Sequence, residues 1–316
     1  MFKVNARKGE GVELAKTYGV QGYPTFILAQ PDGVTLERWW GYGESTDFIA
    51  TLHRGMQDPT TIDEKRARFE KAPNRDDAAK LAMYHESRDE HRDAVHYYRK
   101  AQELAPDENF SFEIFDVVAS GARSDVFTLD EARAAANAVI RHDAREVVDV
   151  VRVARMMTSL GRKVDDREIM VPYLEVAVRE SEGVGDKLVV RNRKYALVDH
   201  ALFVEEDAAK AVQARKALLD PGWMDDPDEL NGFAWWCFEN EINLEEADTL
   251  ARRGVDLATE GNTKANILDT LAEICNLRGS CKDEVYFIEL AIQNNPDSTY
   301  FPKQLERFQK LLAEKD

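Results

Sequence analysis

The stretch LAMYHESRDEHRDAVHYYRKAQELAP, residues 81–106, has the clearest structural pattern in the chain. Its small residues Ala82, Ala94 and Ala101 are spaced so that two antiparallel helices can approach each other closely. Tyr98 is large enough to fill the gap between this pair of helices and the next. Pro106 ends the second helix because proline has no backbone N–H and its ring clashes with the preceding turn. The stretch therefore predicts a helical hairpin.

The same spacing recurs near the C-terminus, at Leu271, Ala272, Cys275, Ile288, Ala291 and Pro296. A related unit directly precedes it: residues 231–236 open a first helix, and the second helix carries the small residues Ala247, Ala251 and Gly254. Together with Leu81, Ala82 and His85, this pattern resembles the tetratricopeptide repeat (TPR). The resemblance implies stacked helical hairpins, an α-solenoid, whose surface binds peptides or protein partners.

We divide the helical part of the chain into three regions. Residues 60–110 are the first TPR-like region, residues 111–225 are a divergent helical region without an alignable repeat, and residues 226–316 hold the C-terminal TPR-like repeats. Within them, Thr128 with Glu131 and Asn243 with Glu246 have the spacing of capping boxes, which predicts that a helix begins at each site.

Residues 1–56 have a different pattern. Residues 2–4 are expected to form a short strand, and residues 11–18 a helix with one apolar face. Residues 25–40 predict a β-hairpin, because two apolar segments flank the turn sequence Gln30-Pro31-Asp32-Gly33. Ser45 is expected to cap a last helix that continues to about residue 54.

This order of elements, with the signature YGVQGYPT at residues 18–25, resembles the C-terminal half of the thioredoxin fold; further matches are Ala15, Asp32, Gly33, Gly41 and Tyr42. The resemblance implies a cis peptide bond before Pro24. It also implies that Tyr23, Pro24 and Thr25 bind the backbone of an extended substrate. The expected fold class is mainly α: a partial thioredoxin-like α/β segment at the N-terminus followed by a TPR-like α-solenoid.

The half of the thioredoxin fold that carries the Cys-X-X-Cys motif is missing, and by the family's spacing the motif would lie roughly twenty residues before Met1. We expect Met1 to be a truncated or misassigned start. The main hypothesis is then a thiol–disulfide oxidoreductase or redox chaperone in its full-length form, with repeats that bind protein partners. The alternative is a non-enzymatic TPR scaffold or adaptor with a degenerate thioredoxin-like cap.

The charge of the chain narrows the class of partner. The net charge is −17, and it lies in residues 55–316, because residues 1–54 carry equal numbers of acidic and basic side chains. An acidic protein repels phosphate, so no nucleic-acid partner is expected. A basic protein partner is favoured if the carboxylates gather in the groove, whereas the alternative is a merely solvated acidic surface. No apolar run is long enough to span a membrane, and the compartment stays open between the cytoplasm and export.

Several reactive residues have structural explanations. Cys237, Cys275 and Cys281 include no Cys-X-X-Cys, so the chain as given is expected to be redox-inert, with buried free thiols or a Cys275–Cys281 disulfide as the alternatives. His85, His91 and His96 do not share a helical face, and neither a metal site nor a cofactor is expected. Trp39 and Trp40 should point to opposite faces of the hairpin.

Overall fold

The computed structural model describes residues 3–41, 45–279 and 281–315. In that part of the chain, sixteen α-helices, two short 3-10 helices and a two-stranded sheet follow one another. The fold class is therefore mainly α, with a small sheet near the N-terminus and TPR-like helical pairs after it. The chain forms two compact units, residues 1–192 and residues 193–316.

The elements of the first unit are α1 (Glu10–Thr17), β1 (Thr25–Ala29), β2 (Thr35–Trp40), α2 (Ser45–Gln57), α3 (Ile62–Lys71), α4 (Arg75–Glu86), α5 (His91–Leu104), α6 (Ser111–Arg123), α7 (Leu129–Arg141), α8 (Val147–Val164) and α9 (Val171–Glu180). The division between the units falls within α10 (Lys187–Phe203). The second unit continues with α11 (Ala208–Lys216), α12 (Pro227–Glu239), α13 (Leu244–Leu257), α14 (Asn262–Leu277), α15 (Cys281–Asn294) and α16 (Phe301–Lys315).

Helices pack in consecutive pairs within each unit. In the first unit the pairs are α4 with α5, α6 with α7, and α8 with α9, and the first helices α6 and α8 also touch each other. In the second unit α12 pairs with α13 and α14 with α15, and α12 touches α14. Contacts between the first helices of successive pairs are the stacking pattern of TPR-like repeats.

The predicted packing residues lie in the core. Ala82, Ala94 and Ala101 are fully buried between α4 and α5, and Tyr98 is buried beside them. In the second unit, Leu271, Ala272, Cys275, Ile288 and Ala291 are likewise buried between α14 and α15. Small side chains at these positions leave no room for larger ones, since protein interiors are close-packed.

One predicted capping box is confirmed and the other is wrong. The Thr128 side chain accepts from the Glu131 backbone N–H and the Glu131 carboxylate accepts from the Thr128 backbone N–H. Asn243 has a left-handed backbone with φ of 52° and makes no side-chain bond to the backbone of the helix. Its amide binds the Glu246 carboxylate instead, at 2.7 Å. Asparagine tolerates the left-handed region well, and this geometry points its side chain away from the free N–H groups.

The N-terminal segment contains the expected helix, hairpin and helix. The strands β1 and β2 pair antiparallel, with Thr25 opposite Trp40, and the Tyr23–Pro24 peptide bond is cis. The strand expected at residues 2–4 is wrong for Lys3 and Val4, which lie in an irregular segment; Phe2 lies outside the described residues. The sheet that the structure describes has only two strands, so the N-terminal segment finds no partner there.

Two buried cations fix the hairpin to the helices. The Arg38 side chain of β2, only 3% exposed, donates from Nε to Ser87 Oγ at 2.8 Å and from Nη2 to the carbonyl oxygens of Gly19 at 2.9 Å and Ser87 at 3.0 Å. Its Nη1 also donates to the Tyr18 carbonyl oxygen. Lys65 of α3 is fully buried and donates from Nζ to the Leu36 carbonyl oxygen at 3.0 Å. Burial lowers the pKa of both cations.

A second layer of ion pairs surrounds this junction. Lys80 Nζ lies 2.9 Å from Glu37 Oε1 and 3.2 Å from Asp58 Oδ2, and Arg68 Nη2 lies 2.8 Å from Asp58 Oδ2. Although burial alone would raise it, the pKa of Asp58 is held well below its usual range by hydrogen bonds from Thr60, Arg68 and Lys80. Ion pairs therefore connect the hairpin and the segment after α2 to α3 and α4.

We expect Arg38→Met to destabilise the protein by at least about 3 kcal/mol, because it leaves several buried carbonyl oxygens without their donor. Urea unfolding followed by circular dichroism and tryptophan fluorescence measures the change. The control is Arg99→Met on α5, which removes an exposed arginine from the same unit. Equal stabilities of the two variants would show that Arg38 does not hold the hairpin in place.

Candidate functional site

A cleft of about 990 Å³ lies within the first unit, between the hairpin with α2 on one side and α4 to α6 on the other. Its lining includes Trp39 and Trp40 of β2, Thr51, Arg54 and Gln57 of α2, Ala79, Lys80, Met83 and Glu86 of α4, Tyr98 of α5, and Phe110 and Glu113 at the start of α6. The cleft exists because Arg38 and Lys65 hold β2 against the helices.

One part of the cleft is built around Trp40 and Glu86. Trp40 is the last residue of β2 and is 52% exposed. Tyr98 donates from its hydroxyl to Glu86 Oε2 at 2.6 Å, and the Trp40 indole N–H near the same carboxylate also favours its ionised form. Both donors are neutral, so the negative charge of Glu86 is hydrogen-bonded but not neutralised.

Burial is the main reason that the pKa of Glu86 is raised to about 7, and the nearby carboxylates of Asp116 and Glu113 raise it further. Burial also raises the pKa values of Glu113, Asp116 and Asp149. These groups lie on α4, α6 and α8, the first helices of successive pairs. The carboxylates therefore gather on the faces of these helices rather than being spread over the unit.

Most cations of the cleft lining are already paired. Arg68 and Lys80 bind the acidic residues of the hairpin junction, and the Arg75 guanidinium binds Glu108. Arg54 of α2 is exposed and donates to the Thr51 hydroxyl at 3.1 Å. Among the residues that the structure describes, neither Glu86 nor Glu113 lies within ion-pair distance of a cation, although the charge of Arg152 lowers the pKa of Glu113.

The residues predicted from the thioredoxin resemblance lie elsewhere. Tyr23 is 55% exposed, and the Arg7 guanidinium lies 5.5 Å from the centre of its ring. Tyr23 lines a separate cavity of about 490 Å³ with residues 3–7. The Pro24 carbonyl oxygen accepts from the Gly41 N–H at 2.9 Å, and Thr25 Oγ1 donates to the Gly22 carbonyl oxygen at 2.7 Å. None of the three belongs to the described lining of the cleft.

Sequence reasoning missed Trp40 and Glu86 as site residues, although one signal was present. Adjacent residues of a strand point to opposite faces, so one tryptophan of the pair had to leave the hairpin's own core. Trp39 packs against Phe26 and Phe48, with ring centres 5.6 Å and 5.9 Å away. Both rings line the cleft, but Trp40 is the more exposed of the two and is the one beside Glu86.

The cysteines have no catalytic geometry in the described chain. Cys237 and Cys275 are buried free thiols. Burial raises the pKa of Cys237 to about 12 and that of Cys275 to about 11, so both stay protonated near neutral pH. The Cys281 side chain, and with it the Cys275–Cys281 disulfide hypothesis, lies outside the described residues.

His85 does not meet the other two histidines singled out from the sequence. Its potential ligand atom lies within 4.8 Å of others on Glu90 and Asp93. His85 Nδ1 lies 2.6 Å from Glu90 Oε2, and Arg88 donates to the other oxygen of Glu90 at 2.8 Å. The Glu90 carboxylate is thus shared between His85 and Arg88. Within the described ranges, no helix is long and apolar enough to cross a bilayer.

No family model matches the chain, and no curated protein matches it. Among solved structures, the chain is similar to one in the APC/C hetero-tetramer Cut9–Hcn1, with 14% identity, a TM-score of 0.43, and coverage of 77% of this chain and 44% of that one. It is also similar to BtubC (BKLC) from P. vanneervenii, with 11% identity, a TM-score of 0.35, and coverage of 75% and 92%. The chain thus spans less than half of the Cut9–Hcn1 chain that it matches.

We expect the free energy of unfolding of Glu86→Gln to increase, relative to that of the unchanged protein, as the pH rises from about 5 to about 8. The pKa of Glu86 is raised by folding, so its contribution to stability is full below about 4.5 and is lost as the pH passes about 7. The uncharged amide avoids this loss, which should amount to about 1–3 kcal/mol. Urea unfolding at both pH values measures it.

The matched control for this change is Glu175→Gln, which removes an exposed carboxylate of α9 in the same unit. It should leave the pH dependence of unfolding unchanged. If Glu86→Gln and Glu175→Gln gave the same pH dependence, the carboxylate of Glu86 would not be titrating in a buried site.

Proposed function

We propose that the protein is a non-enzymatic adaptor whose first unit binds an extended segment of a protein partner in the cleft. The observation that carries this proposal is the large exposed face of Trp40 on the wall of the cleft, beside Glu86. Tryptophan is the residue type most enriched among those that dominate binding energy at interfaces. A half-exposed tryptophan on a concave surface is therefore an anchor for a partner.

The dimensions of the cleft support a peptide ligand. Its volume of about 990 Å³ lies at the upper end of the range for small-molecule sites, which suits a few residues of extended chain. Its walls carry both apolar and polar groups: Met83 offers apolar contact area, and the exposed Gln57 amide offers hydrogen bonds to a peptide backbone. Binding a peptide backbone in this way requires no reactive group in the cleft.

We also propose that the chain is divided into the regions expected from the sequence. In this proposal residues 1–56 are the C-terminal half of a thioredoxin-like domain, residues 60–110 and 226–316 are TPR-like, and residues 111–225 are a divergent helical region. The hairpin pairing of β1 with β2 supports the first division. The pairs α4–α5, α12–α13 and α14–α15 support the TPR-like regions.

We expect Trp40→Ala to weaken the binding of cleft-directed peptides by about tenfold or more, because it removes the largest exposed contact in the cleft. The peptides are selected from a random display library on the full chain, and their affinities are then measured by fluorescence anisotropy. Circular dichroism checks that the variant is folded.

Tyr286→Ala is the matched control, because Tyr286 is 56% exposed and belongs to α15 of the second unit. It should leave the affinities of the same peptides unchanged. Peptides that bind Trp40→Ala as tightly as the unchanged protein would place the binding surface outside the cleft and would overturn the proposal.

The second candidate function is thiol–disulfide exchange by a longer form of the protein. The separate cavity beside Tyr23 favours it, since an extended substrate could lie there against Tyr23, Pro24 and Thr25. In this proposal the attacking thiolate and the resolving cysteine come from a segment outside residues 1–316, and the repeats select the protein substrate.

The 316-residue chain itself should be redox-inert, because its described thiols are buried and protonated. We expect no acceleration of insulin reduction by dithiothreitol, and no reaction of the Cys281→Ser variant with a thiol reagent until urea unfolds it. Rapid labelling of folded Cys281→Ser, or measurable insulin reduction, would contradict this expectation.

A further inference from the structure

We infer that the Trp40 part of the cleft recognises a cationic side chain, so that the partner segment carries lysine or arginine. This inference rests on the proposed function and names the chemistry of its ligand. The occupant to which it commits is an extended basic peptide segment of another protein.

Charge is unevenly distributed in the cleft. Lys80, Arg68 and Arg75 are held by carboxylates of this chain, so they offer little attraction to an acidic ligand, whereas Arg54 donates to the Thr51 hydroxyl and keeps its positive charge at the α2 wall. Glu86 and Glu113 also line the cleft, but the donors to Glu86 are the neutral groups of Tyr98 and Trp40. None of the described residues places a positive charge within ion-pair distance of either carboxylate, so a cation of the ligand would be the first.

Burial already disfavours the anionic form of these carboxylates. The pKa values of Glu86, Glu113 and Asp116 are all raised, chiefly by burial, and negative neighbours add to the effect at Glu86. An ammonium or guanidinium group relieves this cost, since a nearby opposite charge favours the ionised form. A ligand carboxylate would add to the repulsion instead.

The aromatic lining also favours a cation. A cation over the face of a tryptophan gains about 0.5–2 kcal/mol, and tryptophan is the best aromatic partner. The same unit already uses this geometry: the Arg152 guanidinium lies 4.1 Å from the centre of the Phe112 ring, and that of Arg75 lies 5.4 Å from the centre of the Phe110 ring. Trp40 offers an exposed ring beside two carboxylates, which suits a lysine or arginine side chain of a ligand.

The experiment measures the anisotropy of three fluorescein-labelled peptides with the full chain at about pH 8 and low salt. Their repeating units are Lys-Leu, Ser-Leu and Glu-Leu. The Lys-Leu peptide should bind at least about tenfold more tightly than Ser-Leu, and Glu-Leu should bind most weakly. Glu113→Gln should weaken the binding of Lys-Leu by about tenfold, and Glu86→Gln provides a second variant with the same expected direction.

The control Glu175→Gln makes the same change in net charge away from the cleft and should alter the affinity by less than about twofold. Peptides from the display library are compared in parallel with Trp40→Ala. If Lys-Leu binds all these variants equally, a general attraction to the acidic surface explains it, and the inference is wrong. If Trp40-dependent peptides prove neutral or acidic, the inference is wrong while the cleft remains the binding site. If no peptide depends on Trp40, both proposals fail.

Discussion

The burial of Arg38 is the constraint on which the cleft depends. From β2, its guanidinium donates to the carbonyl oxygens of Tyr18 and Gly19 at the end of α1 and of Ser87 at the end of α4. A guanidinium has five donors in a fixed plane, so this cation can satisfy several carbonyl oxygens in one geometry only. The hairpin is therefore held in a defined orientation, and Lys65 repeats the restraint from α3.

The same orientation determines what the cleft can offer a partner. By holding β2 against α4, it brings Trp40 to Glu86 and Tyr98, and it pairs the cations of the junction with Glu37 and Asp58. The positive charges of Lys80 and Arg68 are paired in building the wall. The Glu86 carboxylate remains beside an exposed aromatic ring. The charges and rings that line the Trp40 part of the cleft thus follow from how the wall is attached.

The sequence predicted the helical hairpins well, because small residues at fixed spacing, such as Ala82 and Ala94, have one simple packing solution. It could not predict the cleft, because Glu86, which lies beside Trp40, is separated from it in the sequence by two further helices, α2 and α3. Local patterns also misled where tertiary partners were decisive. Lys3 and Val4 look like a strand but have no third strand to pair with in the described sheet, and Asn243 takes a left-handed backbone that its spacing from Glu246 does not reveal.

Native-state hydrogen exchange of the full chain in low concentrations of urea shows whether the hairpin and the helices form one cooperative wall. Exchange is followed in peptides that cover residues 25–41 and residues 75–87. If Arg38 and Lys65 fix β2 to α3 and α4, the amides of both segments open with the same free energy and the same dependence on urea. Opening of the hairpin at a clearly lower free energy, with α4 still protected, would contradict the account.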